Sequence, residues 1–309
     1  MLNNTKVGSQ AGARPAAAIE IAPEGVLAAV HSGARKRIAD PEAGCLYAYA
    51  ALPQDAIVPS LEEPNLRQPE AVASAIRKAL DELAPRKRAV TMVLPDTLVR
   101  VFVLDFDSLP AKPAEAVSVV RFRLRKMVPF EVEHAAVSYQ LLEQSVSECK
   151  VLAAVMPGPI LAEYESVVRA AGYEPGVVLP SSLAAMETLD PMEATLTANL
   201  GAQTVTTSIA TGSNLLLYRT IDLPEDAAER TAEIQRAIAV ATAYFEDKLG
   251  ARPRSIYYAG VRNVGEFATI VADPELTVID WAPRPEAGAL TALPQTNFAG
   301  VTGALAGAN

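Results

Sequence analysis

The stretch 119–130 carries a basic helical pattern that runs into a proline, and this combination constrains the local fold more than any other part of the chain. One set of apolar residues in this stretch and just before it keeps the spacing of one helix face: Val117, Val120, Leu124, Met127 and Val128. Arginines and a lysine occupy the other faces, which is the pattern of an amphipathic helix. Pro129 cannot continue the hydrogen-bond ladder. We therefore predict a helix over 114–127 that buries Leu124 and Met127.

This helix is one of four consecutive elements with a distinct order. The pattern predicts strand, helix, strand and strand at 98–104, 114–127, 135–142 and 150–155. The first strand after the helix contains Tyr139-Gln140-Leu141-Leu142, which follows the Pro129-Phe130 stop closely. We interpret the four elements as a small module inserted into a larger α/β unit.

Two hairpin patterns divide the rest of the chain into similar halves. The first pairs predicted strands at 16–21 and 26–30 around Ala22-Pro23-Glu24-Gly25. The second pairs strands at 195–200 and 204–210 around Gly201-Ala202-Gln203. Aligning the halves sets Glu20 against Asn199. The pattern indicates two copies of one hairpin-led α/β unit.

Composition excludes several functional classes. The chain has 309 residues and a formal net charge of −9, which disfavours general nucleic-acid binding. Its cysteines and histidines lack metal-ligand spacing, and no nucleophile–base set is visible, so we predict no metal site and no catalytic residues. We find no signal peptide and no uninterrupted apolar span. We expect a cytoplasmic protein that touches a membrane only peripherally or through a partner.

The Pro-Phe stop, the strand after it and the motif Ala171-Gly172-Tyr173-Glu174-Pro175 resemble the PilM family of actin-like type IV pilus assembly proteins. The resemblance implies an α/β, actin-like (ribonuclease H-like) duplicated two-lobed fold with an inserted strand-helix-strand-strand subdomain. The expected division is 15–94 with 157–190 for the first lobe, 95–156 for the insert and 191–309 for the second lobe. A single helix at 226–249 implies a reduced adenine-side subdomain in the second lobe.

The nucleotide motifs of that family are altered in this chain. The family carries Asp-x-Gly in each phosphate hairpin and Gly-Gly at the adenosine end. The matching positions are degenerate here: Glu20, Ala22 and Gly25 in the first hairpin, Asn199, Gly201 and Ala202 in the second, and Ala259 with Gly260 at the adenosine end. We expect no cofactor and no ATP hydrolysis, although ATP with Mg²⁺ stays open.

By resemblance, the partner is the short N-terminal cytoplasmic tail of a PilN-like inner-membrane protein. The expected groove lies between the inserted module and the first lobe, and the candidate binding residues are Arg121, Phe122, Arg125, Pro129 and Phe130. The chain is then a scaffold rather than an enzyme. Two alternatives stay open: an active ATP-binding actin-like ATPase of pilus assembly, and a GspL-like component of type II secretion.

Overall fold

The computed structural model describes residues 14–31, 45–145, 147–189, 193–211, 214–260, 263–281 and 298–306. The strands are β1 (Ala17–Ala22), β2 (Gly25–His31), β3 (Cys45–Ala51), β4 (Ala89–Leu94), β5 (Arg100–Phe106), β6 (Ala136–Gln144), β7 (Cys149–Met156), β8 (Glu174–Pro180), β9 (Ala194–Leu200), β10 (Thr204–Thr211), β11 (Asn214–Asp222), β12 (Ser255–Gly260) and β13 (Thr277–Asp280). The helices are α1 (Pro69–Leu83), α2 (Pro113–Leu124), α3 (Gly158–Ala170), α4 (Ser181–Ala185), α5 (Ala227–Leu249), α6 (Val264–Val271) and α7 (Ala299–Ala306).

The chain divides into two compact units. The first unit contains the sheet β3-β2-β1-β4-β8 together with α1, α3, α4 and α7. In this sheet β1, β2 and β3 are antiparallel neighbours, whereas β4 runs parallel to both β1 and β8. Side chains of both alternating sets are buried along β1 and β2, so helices cover both faces of this part of the sheet.

The second unit contains a sheet of the same design. Its order is β11-β10-β9-β12-β13, with an antiparallel group followed by parallel strands. A single helix, α5, joins β11 to β12. Asp226 caps its N-terminus by accepting hydrogen bonds from two backbone N–H groups, and Gly250 ends it in the left-handed conformation. Ile238, Phe245 and Phe267 pack with the strands into one hydrophobic core.

The inserted module belongs to the second unit and has its own sheet, β5-β7-β6, packed against α2. Val120 and Leu124 of α2 are fully buried and form a core with Val151 and Val155 of β7. The predicted order of strand, helix, strand and strand is the order observed. The burial of Leu124 follows the predicted apolar face.

The predicted burial of Met127 is wrong. The helix ends at Leu124 rather than at residue 127, and the Met127 N–H donates to the carbonyl oxygen of Leu124 (2.8 Å) in a tight turn. This turn takes Met127 out of the helical spacing, and its side chain is 41% exposed. Helical periodicity places a side chain only where the helix continues.

The last helix lies in the first unit, although the sequence assigned residues 191–309 to the second lobe. α7 packs against α4 and against strands β1, β2 and β4. The approach is close, because a Cβ on Gly303 would lie 2.6 Å from the carbonyl carbon of Ala184. Two side chains of the sheet also form hydrogen bonds with this helix. The Tyr47 hydroxyl bonds to Thr302 Oγ1 (2.9 Å), and the His31 Nε2 bonds to the Leu305 carbonyl oxygen (3.1 Å). The position of α7 is therefore set by contacts with residues that are far away in the sequence.

No helix within the described ranges combines the length and the apolar composition needed to cross a bilayer.

Candidate functional site

The two hairpins that match the phosphate loops occupy equivalent positions in their sheets. In the first, Ala22 pairs with Gly25 around the two-residue turn Pro23-Glu24. In the second, the Gly201 N–H donates to the Thr204 carbonyl oxygen (2.9 Å) around Ala202-Gln203. Glu20 and Asn199 therefore both lie two residues before the residue that opens the turn, as the alignment of the halves predicted.

Glu20 is buried beneath α7 rather than presented to solvent. Its Oε1 accepts a hydrogen bond from Ser181 Oγ (2.8 Å), whereas its Oε2 has no hydrogen-bond partner among the residues that the structure describes. A Cβ on Gly300 would lie 2.8 Å from that oxygen. The pKa of Glu20 is raised to about 8, chiefly by burial. The hydrogen bond from Ser181 opposes this rise, and the nearby carboxylates of Asp96 and Glu24 add smaller contributions to it. The carboxyl group is therefore largely protonated at neutral pH.

The other residues of the first hairpin have structural partners. The Glu24 carbonyl oxygen accepts a hydrogen bond from the Tyr49 hydroxyl (2.7 Å), which ties the turn to β3. A Cβ on Gly25 would lie 2.6 Å from the Ala50 carbonyl oxygen. The glycine at this position is explained by the close approach of β2 to β3, and Ala22 closes the strand pairing opposite it.

The second hairpin is fixed by an arginine that the sequence patterns did not single out. Asn199 is 5% exposed and carries no charge. Arg230 of α5 donates to the carbonyl oxygens of Gly201 (3.2 Å) and Ala202 (2.5 Å). No local motif marks Arg230, because the contact depends on how α5 packs against β9 and β10. The turn carbonyls are thus oriented by a helix more than twenty residues away.

The glycine kept at the adenosine end also has a packing explanation. Ala259 and Gly260 end β12 and pair in parallel register with Asn199 and Leu200. A Cβ on Gly260 would lie 2.6 Å from the Leu200 carbonyl oxygen. The close approach of the β9 and β12 backbones is by itself sufficient to explain the glycine, and no bound ligand is needed to account for it.

The hairpin residues do not fit a Mg²⁺-nucleotide site of the expected kind. Mg²⁺ is usually held through one or two carboxylates together with water and phosphate oxygens. Glu20 is buried and largely protonated, and Asn199 is neutral. Within the described parts of the chain, no group of three or more His, Cys, Asp or Glu side chains could hold a metal ion.

The inserted module carries an open, shallow pocket of about 500 Å³ on its surface. Its lining residues are Arg125, Val128, Pro129, Phe130, Glu131, Val132 and Glu133. Three of the five predicted partner-binding residues, Arg125, Pro129 and Phe130, are thus brought together on one surface. The surface is largely apolar with charged residues among its lining, which is the usual composition of a peptide-binding or ligand-binding site.

Two arginines one helical turn apart hold the segment that forms this pocket. The Arg121 guanidinium donates to the carbonyl oxygens of Val132 and Ala135, the latter at 2.9 Å. The Arg125 guanidinium donates to the carboxylate of Glu133, and this bond lowers the pKa of Glu133. Arg121 is half-buried, and its guanidinium is committed to the backbone of the pocket wall. It therefore shapes the pocket without lining it.

Phe122 lies apart from the other predicted partner-binding residues. Its side chain is 73% exposed, and it does not line the pocket. Ala116, Val120 and Leu124 are the buried residues of α2 and share one face of the helix, and Phe122 lies on the opposite face. The pocket and the exposed face of α2 are therefore separate surfaces.

Two sheets of the same strand order, each opened by a hairpin, with a small module inserted into one half, define the actin-like fold. A chain of a solved PilM-PilN type IV pilus biogenesis complex has this fold with a TM-score of 0.68 and 20% sequence identity, over 96% of the present chain and 98% of that chain. The predicted fold class and the likeness to PilM in fold are confirmed.

A second solved structure shares the fold at lower similarity. It is the cytoplasmic domain of EpsL, an inner membrane component of the type II secretion system of Vibrio cholerae, with a TM-score of 0.50 and 13% identity. The alignment covers 89% of the present chain and 90% of that domain. No family model and no curated protein match the sequence.

Proposed function

We propose that this chain is a cytoplasmic scaffold of a type IV pilus assembly complex, and that its inserted module binds the N-terminal tail of a PilN-like inner-membrane protein. The observation that carries the proposal is the pocket in which Arg125, Pro129 and Phe130 meet. The fold shared with a chain of a PilM-PilN complex supports the choice of system. Through that tail the chain is held at the inner membrane.

An extended apolar tail suits the shape and composition of the pocket. Val128, Pro129 and Phe130 offer apolar surface, and the pocket is open to solvent along the segment. Because Arg121 of α2 donates to the carbonyl oxygens of Val132 and Ala135, the segment is held against α2 before the partner arrives. A preformed site loses less conformational entropy on binding than one that must order.

The same proposal holds that binding does not depend on ATP and that the chain does not hydrolyse it. The support is the state of Glu20, which is buried, bonded to Ser181 and largely protonated, together with the neutral Asn199. We expect calorimetry with Mg-ATP to show no micromolar binding, which corresponds to about 8 kcal/mol on the standard scale. Micromolar affinity with phosphate release would instead favour an active ATPase.

The decisive experiment is a titration of the full chain with a synthetic peptide of the N-terminal tail from the PilN-like protein of the same organism. We expect Phe130→Ala to weaken binding, because Phe130 is the aromatic side chain of the pocket lining. Circular dichroism checks that the variant is folded, since Phe130 also packs against the module core. Glu20→Gln is the matched control and leaves binding unchanged, with and without Mg-ATP. Binding that survives Phe130→Ala, or that requires ATP, would contradict the proposal.

A role in type II secretion is the second candidate, since the cytoplasmic domain of EpsL has the same fold. We favour the pilus role because the chain of the PilM-PilN complex has the higher TM-score, 0.68 against 0.50. Pulldown with each candidate inner-membrane partner from the same organism separates the two systems.

A further inference from the structure

The outer face of α2 and the turn after it carry an apolar patch that the proposed function does not use. Among the described residues, three of the seven exposed large hydrophobic side chains lie in this one stretch: Val119 (36% exposed), Phe122 (73%) and Met127 (41%). The other four lie in four different segments of the chain. Single exposed apolar residues are normal on a protein surface, whereas a cluster of them marks an interaction site.

Two uncompensated positive charges border this patch. Arg123 and Lys126 are exposed, and neither forms an ion pair with a described residue. The other exposed charges of α2 and its two ends are neutralised in pairs, Lys112 with Glu115 (3.0 Å) and Arg125 with Glu133. Arg123 and Lys126, together with the three apolar residues, form the α2 surface.

We propose that the α2 surface is a contact for anionic phospholipids, in which Phe122 enters the headgroup region and Arg123 and Lys126 reach the phosphate groups around it. A convex helix face with an aromatic ring beside long cationic side chains has the composition of helices that lie at a bilayer interface. The inference goes beyond the proposed function, because it gives the chain a contact with lipid itself in addition to the partner's tail.

The net charge of −9 does not prevent a local contact of this kind. The Debye length is roughly 8 Å at physiological salt, so a bilayer acts mainly on the charges of the surface that touches it. On the α2 surface those charges are the two cations. Each basic residue near an anionic leaflet raises partitioning by about fivefold.

The α2 surface is a supplementary contact rather than an anchor. Two cations and one aromatic ring bind a bilayer weakly, and stable attachment usually takes two signals. The tail proposed to bind the pocket supplies the other signal. The pocket and the exposed face of α2 are separate surfaces, so that both can be engaged at once. A chain tethered through the pocket then meets the bilayer at a high effective concentration.

The test is co-sedimentation of the full chain with sucrose-loaded vesicles at high lipid concentration, without any tail peptide. The vesicles contain phosphatidylcholine alone or phosphatidylcholine mixed with phosphatidylglycerol, and we expect the wild type to bind only the mixed vesicles. Arg123→Gln combined with Lys126→Gln should lower the partition coefficient about tenfold or more. Arg86→Gln combined with Lys87→Gln is the matched control, because it changes the net charge equally at exposed positions outside the module. It should alter partitioning less than about twofold.

The apolar part of the contact is tested at Phe122. Phe122→Ala should weaken partitioning about three- to tenfold. Leu46→Ala, at an exposed apolar position outside the module, should leave it unchanged. Phe122→Trp adds a fluorescent reporter, because the one tryptophan of the chain, Trp281, is buried. We expect the emission of this variant to move to shorter wavelength when mixed vesicles are added. Circular dichroism checks that each variant is folded.

The outcomes separate the lipid contact from the proposed function. Absence of wild-type binding, equal binding to both kinds of vesicle, equal losses in the two double variants, or an unchanged emission wavelength overturns the lipid contact. Dimerisation that depends on Phe122, measured by analytical ultracentrifugation in the absence of vesicle binding, also overturns it and assigns the α2 surface to a second copy of the chain. The titration with the tail peptide is independent of these results, so failure of the lipid contact leaves the proposed pocket in place.

Discussion

Replacing Glu20 by glutamine removes a buried carboxyl group whose titration should govern the pH dependence of stability. The side chain is 7% exposed and accepts one hydrogen bond from Ser181. Burial, with help from the charges of Asp96 and Glu24, raises its pKa from 4.5 to about 8. Glutamine has nearly the same shape and cannot ionise, so the variant isolates the charge.

The magnitude follows from proton linkage. A raised pKa means that the folded state binds the proton more tightly than the unfolded chain. Protonation therefore stabilises the fold fully below the unfolded pKa, and this stabilisation is lost as the pH rises through about 8. One pKa unit corresponds to about 1.4 kcal/mol, so the complete loss is roughly 5 kcal/mol, with a slope of up to about 1.4 kcal/mol per pH unit.

The assay is denaturant unfolding of both proteins at a series of pH values from about 5 to 9. We expect the difference in free energy of unfolding, Glu20→Gln minus wild type, to increase by roughly 4 kcal/mol between about pH 5 and pH 8, because only the wild type loses stability as Glu20 ionises. Glu62→Gln, at an exposed position of the same unit, should parallel the wild type. Parallel curves for wild type and Glu20→Gln would refute the reasoning, because they would mean that Glu20 titrates normally.

Three further substitutions test the packing. Gly303→Ala should lower the free energy of unfolding by about 1–3 kcal/mol, because the new Cβ meets the backbone of Ala184; an unchanged melting temperature would show that α7 can shift. Arg121→Ala should lower the free energy of unfolding by about 1.5–3 kcal/mol, because two hydrogen bonds to carbonyl oxygens are lost. The same change at the exposed Arg123 should alter it by less than about 0.5 kcal/mol. Equal effects of the two changes in urea unfolding would show that Arg121 does not hold the pocket segment. Leu124→Ala should cost about 2–5 kcal/mol from its fully buried position, and a smaller loss would mean that the module core collapses around the cavity.

The sequence located the elements whose signals are local. Asp226 and Gly250 mark the two ends of α5, and the helix begins and ends beside them. The turn Ala22-Pro23-Glu24-Gly25 joins the two strands of the first hairpin, as predicted. The apolar spacing of α2 identified Leu124 as buried. Each of these signals depends on hydrogen bonds or spacing within a few residues.

The strands β3 and β13 and the helix α6 were not predicted from the sequence. β3 pairs with β2, and β13 pairs in parallel with β12, so each is stabilised by a neighbour already in the sheet. A short strand at a sheet edge has little periodicity of its own to detect. The two strands could therefore be located only from the complete sheets of the structure.

The sequence alone determined the duplicated hairpin-led α/β pattern and the inserted module, and it places Glu20 and Asn199 at equivalent positions of the two hairpins. Only the tertiary structure decided what those residues contact. Ser181 donates a hydrogen bond to Glu20 although 161 positions separate them in the sequence, and α7 packs within the first unit. Arg121, predicted to bind the peptide, donates to carbonyl oxygens of the pocket wall. Helix and turn signals act over one or two turns of chain, whereas the partner of a buried polar group is set by which distant segments the core brings together.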